Sequence, residues 1–284
     1  MEEAIPVCYI SRYRTMLKKR LGLIAGNGQF PLLLAQKAKT QDYQVIAAAI
    51  KGDTSFFLRF FTDKMAWFRA GELKRLFSFF QEEGIRQVIM AGQVNPEHLF
   101  EPDADFDHEF QKLFEAVKDR KADTIFSAVA DRLEERGMEL IDSTFLLKEC
   151  LAPQGTLTMR GPTVSELDDI EFGKNIAKAM GGIDVGQTVV VKDKAIVAIE
   201  AMEGTDWTIR RGGKIAREGV VVVKMSKPNQ DLRFDVPVVG PRTIQAMRKA
   251  KAGCLGIEAG KTLLIGRNKM IRLANEAGIC IVAC

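Results

Sequence analysis

Short apolar runs alternating with amphipathic helical stretches constrain the first third of this chain more than any other feature. Leu21-Gly22-Leu23-Ile24-Ala25, Val45 to Ile50, Met65 to Phe68 and Val88 to Ala91 are almost free of polar residues. Phe30 to Lys39 and Glu72 to Glu83, lying between them, carry apolar residues at helical spacing. Strands that are apolar throughout are buried on both faces, as when helices cover a parallel sheet on each side. The expectation is an α/β fold whose N-terminal domain is a Rossmann-like parallel sheet.

The residue vocabulary changes near position 150. Fifteen of the 17 phenylalanines precede it, whereas 16 of the 24 glycines follow it. Ala152-Pro153-Gln154-Gly155 reads as a linker turn. The second half opens with a helix from about Ser165 to Met180, then turns to closely spaced strands at Thr188–Val191, Ile196–Ala201, Gly219–Lys224 and Leu263–Ile265. Asp193-Lys194 reads as a hairpin turn, and a helix from Lys269 to Ala277 leads to a last strand, Ile279–Ala283. The expected organisation is an N-terminal extension over 1–20, a Rossmann-like nucleotide- or phosphate-binding domain over 21–151, and a mixed α+β domain over 155–284.

Charge narrows the partners. Forty-one Lys and Arg against 37 Asp and Glu leave a net +4, with no basic block of the kind that marks a nucleic-acid arm. Cysteines at 8, 150, 254, 280 and 284 form no C-x-x-C pair, and only His98 and His108 stand beside them, so a zinc site is not indicated. An unpatterned set of this kind suits a reducing cytoplasm, where buried cysteine acts as a small hydrophobe. The start has no secretory h-region, and no apolar run approaches the roughly 18 residues needed to span a bilayer. A soluble protein is expected.

Four segments carry candidate chemistry. Gly26-Asn27-Gly28-Gln29 joins the first strand to the first helix, where backbone amides favour a phosphate. Pro31 stands where a dinucleotide fingerprint has its third glycine, so a nicotinamide dehydrogenase is disfavoured, and a plain tight turn stays open. Gly92, Gln93 and Asn95 follow another strand at the same sheet edge. The third and richest segment runs from Lys224 through Lys227, Gln230, Asp231, Arg233 and Asp235 to Pro237, and Gly240-Pro241-Arg242 then opens a helix. If Asp231 to Asp235 is extended, Asp231, Arg233 and Asp235 share one face, and two carboxylates converge in the way Mg²⁺ requires. An edge strand with Asp–Arg pairs is the alternative. Glu200 to Asp206, including Thr205, offers either further carboxylates or helix caps. His98 and His108 read as solvated helix-end residues without a role.

Taken in order, Leu21 to Gly28, Ala91-Gly92-Gln93-Val94, Ile183-Asp184-Val185-Gly186-Gln187, Glu203-Gly204-Thr205-Asp206, and Lys227-Pro228 through Asp235-Val236-Pro237 with Gly240-Pro241 form a set of five motifs. The chain resembles, from about Leu21 to Val282, the UDP-2,3-diacylglucosamine pyrophosphatases of lipid A biosynthesis, of the two-domain type unrelated to calcineurin-like phosphoesterases. That resemblance implies a Mg²⁺-dependent hydrolase releasing UMP and 2,3-diacylglucosamine 1-phosphate, water attacking the α-phosphorus. The family's essential D-x-P aspartate matches Asp235, with Asp231 beside it, so the second domain is expected to be the catalytic one. Asp235, Asp231 and Asp206 are the implied metal ligands. Gly26, Asn27, Gly28, Gln29, Gly92, Gln93, Asn95, Thr205, Asp206, Lys224, Lys227, Gln230, Arg233 and Arg242 are the implied substrate contacts. Asn27 stands where the family loop commonly has another glycine. The diacyl substrate implies peripheral contact with inner-membrane lipid, and Phe56, Phe57, Phe60 and Phe61 are candidates for facing it. No nucleic-acid partner is expected, a homo-oligomer stays open, and the alternative function is a UDP-sugar-sensing module without chemistry.

Overall fold

The computed structural model describes residues 19–95, 98 and 106–284. The expected extension therefore falls, up to residue 18, outside the described residues, while Lys19 and Arg20 already belong to the first strand. The chain divides into two compact units, one running to Arg120 and adding Thr124–Leu146, the other built from Lys121–Asp123 and Leu147–Cys284.

The first unit is built on β1 (Lys19–Ala25), α1 (Phe30–Thr40), β2 (Tyr43–Ile50), β3 (Lys64–Phe68), α2 (Leu73–Glu82), β4 (Gln87–Ala91), α3 (His108–Ala116), α4 (Ala122–Glu134), whose first two residues fall in the second unit, and β5 (Glu139–Leu140). Its sheet has the order β3-β2-β1-β4-β5 with every pairing parallel. Chain direction across the sheet reverses between β1 and β4, so the loops after those two strands flank the switch point at which such sheets bind ligands. Leu23, Val45, Ala47 and Ile89 are fully buried, as the unbroken apolar runs require. Phe56–Phe61 forms a short 3₁₀ turn between β2 and β3.

The second unit contains β6 (Gly155–Thr156), α5 (Val164–Gly182), β7 (Thr188–Lys192), β8 (Ala195–Ile199), α6 (Thr205–Ala216), β9 (Val221–Lys224), β10 (Val238–Val239), α7 (Pro241–Lys249), β11 (Cys254–Ile257), β12 (Leu263–Leu264), α8 (Arg267–Glu276) and β13 (Cys280–Ala283). Its main sheet runs β6-β13-β11-β9-β7-β8, with β13, β11 and β9 parallel and the flanking strands antiparallel. Alternate residues feed two cores. Val189, Val191, Val221, Val223, Cys254 and Cys280 pack with Ile170 and Ala177 of α5, while Val190, Val222, Leu255 and Ile281 pack on the other face with Ile209 and Ile244. Cys254 and Cys280 are thus small core hydrophobes, and burial pushes the Cys254 thiol far above its ordinary value. Asp193 and Lys194 both have positive φ, the conformation of a tight hairpin loop. The buried Asp169 carboxylate accepts from both turn amides, at 3.1 and 2.7 Å.

Candidate functional site

Within the first unit, the loops after β1 and β4 lie against each other. Gly26 N donates to Ala91 O at 2.9 Å and Asn27 N to Gln93 O at 2.7 Å, making an isolated bridge between Asn27 and Gln93. A Cβ on Gly26 would stand 2.5 Å from Gln93 O, and one on Gly92 would collide with Asn27 O. Those two glycines therefore serve a backbone-to-backbone approach. Gly28 differs: its φ is +94° and a Cβ there would meet nothing, so its side of the loop is open. Gln29 is the N-cap of α1 and makes no side-chain cap, which leaves the Phe30 and Leu32 amides uncapped, Pro31 having none. Asn95 is placed by the buried Asp53, whose Oδ2 accepts from Asn95 N at 3.1 Å. The same oxygen lies 3.1 Å from His98 Nε2, so His98 is not the solvated residue expected, because Asp53 draws the imidazole inward. His108, exposed at the first position of α3, matches the expectation. Thr54 Oγ1 accepts from Ile50 N and donates to Ala25 O, tying the loop after β2 to the end of β1.

Asp235 lies in the second unit, and its surroundings correct the expected strand. Asp231–Phe234 is a turn, with Asp235 N donating to Asp231 O at 2.9 Å. Asp231 Oδ1 accepts from Arg233 N at 3.0 Å, an Asx turn that competes with extension. Asp231 and Asp235 therefore do not share a strand face. Arg233 holds the Asp231 carboxylate with Nη2 at 2.8 Å, and although burial works the other way this keeps Asp231 below the ordinary carboxylate value.

The Asp235 carboxylate is held by two other side chains. Gln187 Nε2 donates to its oxygens at 2.7 and 2.8 Å, and Lys227 Nζ lies 2.8 Å from Oδ2. Lys227 also pairs with Asp184 and, at 2.7 Å, with Asp123 of the same unit. Burial opposes the ammonium charge, but Asp235, Asp123 and Asp184 together outweigh it and hold Lys227 above the usual lysine range. Gln230 closes the loop, accepting from Lys227 N at 2.6 Å and donating to Asp235 O. Gln187 reaches this place because β7 runs antiparallel to β9, setting the start of β7 beside Lys224, and Met225 N donates to Gln187 O at 3.0 Å. Its Oε1 is buried with no hydrogen-bond partner.

Beneath this group lies a polar brace. Lys224 Nζ donates to Thr205 Oγ1 at 2.8 Å and Thr188 Oγ1 at 3.2 Å, and sits 3.7 Å from Glu200 Oε2. Glu200 accepts from Thr205 at 2.7 Å, and Lys224 with these hydroxyls lowers its pKa against the effect of burial. Asp206, in the first turn of α6, faces Arg242 at 3.6 Å, at the start of α7. Ser226 is fixed by Glu258, which accepts from its N at 3.0 Å and its Oγ at 2.6 Å.

Asp235, Lys227 and Gln230 therefore come together, while Asp231 and Asp206 each face an arginine. Among the described residues no three His, Cys, Asp or Glu side chains gather as a cation cage. Glu200 opens the carboxylate-rich segment named from the sequence, whereas Asp53, Asp184, Gln187 and Glu258 escape chemical reasoning from it, although Asp184 and Gln187 lie inside one of the five motifs.

Two family models match the chain, the LpxI N-terminal domain over residues 20–150 and the LpxI C-terminal domain over 153–282. The UDP-2,3-diacylglucosamine pyrophosphatase LpxI of Caulobacter vibrioides is 31% identical over 93% of this chain and 97% of its own length. Among solved structures, the biotin carboxylase domain of Hydrogenobacter thermophilus 2-oxoglutarate carboxylase aligns at 12% identity with a TM-score of 0.28, over 70% of this chain and 42% of that one, a likeness too loose to carry an argument. With both domain models matched in order and a full-length relative above 30% identity, the chain belongs to the LpxI family.

Proposed function

We propose that this chain hydrolyses the pyrophosphate of UDP-2,3-diacylglucosamine to UMP and 2,3-diacylglucosamine 1-phosphate in lipid A biosynthesis. The observation that carries the reading is a carboxylate, Asp235, clamped by Lys227 and Gln187 in a chain with both LpxI domains. A carboxylate offers about four acceptor sites, and these contacts use three, leaving one on Oδ1 to face the reacting water, directly or through a bound cation. Lys227, kept charged by its acidic neighbours, fixes the carboxylate and lowers the cost of gathering negative charge there. Arg242, largely exposed at the start of α7, is placed to meet phosphate charge.

Mg²⁺ belongs to this reading. Gln187 Oε1, a buried oxygen without a partner, stands beside a carboxylate, and hard oxygen donors of this kind suit Mg²⁺, which completes its shell with waters and substrate phosphates. Asp235 and Gln187 are the residues that would hold it. When bound, Mg²⁺ offsets the charge of the diphosphate.

The test is UMP release by the purified full chain. Asp235→Ala should lower kcat by roughly 10²–10⁴-fold with KM within a few-fold, because the contact is used mainly in the transition state. In oxygen-18 water the label should appear in UMP. Near-native turnover by the variant, or label in the lipid phosphate, overturns the mechanism.

A further inference from the structure

The 3₁₀ turn between β2 and β3 presents three phenylalanines to solvent. Phe56, Phe57 and Phe60 are 56%, 66% and 64% exposed, while Leu58 between them is fully buried and anchors the turn. Ser55 caps it, its Oγ accepting from Phe57 N at 3.3 Å. Arg59 is exposed, its guanidinium 4.8 Å from the Phe56 centroid and 5.6 Å from that of Phe60, and among the described residues no carboxylate pairs with it. Isolated exposed apolar residues are ordinary, but three rings flanking one unpaired cation in a single anchored turn are not. The turn follows directly on Asp53 and Thr54, which tie to Asn95 and to the end of β1.

We propose that this turn docks the protein on an anionic lipid bilayer, the rings entering the interface and Arg59 meeting lipid phosphate. The exposed ring area is on the order of 350 Å², against the roughly 800 Å² per partner that a stable protein interface buries, so a second copy of the chain is a poor occupant. Aromatic rings with an adjacent cation fit the headgroup layer, where apolar surface and phosphate lie a few ångströms apart. The proposal rests on the functional reading above, since a diacylated substrate resides in a bilayer, and it places the strand-end loops of the first unit beside that surface.

The test is co-sedimentation of the full chain with vesicles of phosphatidylethanolamine and phosphatidylglycerol, and with vesicles of phosphatidylcholine alone. The native chain should bind the anionic vesicles. The F56S/F57S/F60S variant should bind them at least tenfold more weakly, and Arg59→Glu should abolish the preference for anionic over neutral lipid. Because these side chains face solvent, melting temperatures should match the native chain. UMP release from a short-chain, monomeric substrate should be unchanged in the triple variant, while release from vesicle-borne substrate should fall with binding. Equal sedimentation of triple variant and native chain, or a fall in oligomer size without loss of vesicle binding, would overturn the proposal. Loss of turnover on the short-chain substrate would also overturn it, by making the rings part of the substrate site. Failure of the native chain to release UMP from any substrate would strike the functional reading alone, because vesicle binding is read without turnover.

Discussion

The two units pack helices on their sheets with different materials. In the first, Phe68 of β3 and Phe77 and Phe80 of α2 are fully buried, so large rings fill the space between helix and sheet. In the second, helices come closer. A Cβ on Gly173 of α5 would stand 2.8 Å from Val191 and Val223, and one on Gly212 of α6 would stand 2.6 Å from Val190. The uneven split of phenylalanine and glycine along the chain is thus a record of two packing distances. The strand-end loops differ as well: the first unit offers backbone amides and glycines, the second a carboxylate with fixed donors.

The largest effect should come from emptying the ring-packed core. Phe80→Ala should cost about 3–5 kcal/mol, measured by denaturant unfolding, since it removes a buried ring and leaves a cavity. A cost below 1 kcal/mol would mean that the first core is as forgiving as a surface. Gly212→Ala sharpens the contrast. Helix propensity alone favours alanine by about 1 kcal/mol, yet the collision with Val190 should make the variant about 1–3 kcal/mol less stable. Stabilisation would show that helix and sheet of the second unit can move apart freely.

The third effect concerns acid. Burial raises the Glu258 pKa, but hydrogen bonds from Ser226 and Lys261 outweigh it and bring it to about 2. Because the folded value lies below the unfolded one of about 4.3, this contribution is present above pH ~4.3 and is lost as pH falls towards 2. With solvent screening it should amount to about 1–2 kcal/mol, and Glu258→Gln should flatten the stability profile in that window. An unchanged slope would refute the assignment. Smallest of all, Arg242→Gln should alter stability by less than about 0.5 kcal/mol in a thermal melt, its partner Asp206 lying 3.6 Å away and the arginine being largely exposed.

Much of the first sheet was legible because strands buried on both faces leave an unbroken apolar signature, which β1, β2 and β4 carry, while the edge strand β3 shows an apolar run although only half-buried. The Asp193-Lys194 hairpin was legible from its turn residues. The two-residue strands β5, β10 and β12 are too short to show a period. Helix α6 hid behind Gly212-Gly213 in its interior, where local propensity argues against a helix and sheet packing overrides it. The Asp231–Asp235 segment was misread because period-two geometry presumes a ladder partner, and an Asx turn answered its polar groups locally instead. Lys227 and Gln230 were found beside Asp235 because they are close in sequence. Gln187 lies 48 residues from Asp235 and meets it only through the antiparallel pairing of β7 with β9, a long-range fact that no local pattern announces.

The mutual contact of Gly26 and Gly92 has a bearing on engineering. Two loops hydrogen-bonded main chain to main chain, with no room for a Cβ on either glycine, behave as one mechanical part. Grafting a homologous loop after β1 without its partner after β4, or lengthening one alone, would break the register between them. Libraries that aim to change what binds at that edge should therefore exchange both loops as a matched pair, keep Gly28 for its left-handed φ of +94°, and spend their diversity at Gln29, outside the Gly26–Gly92 contact.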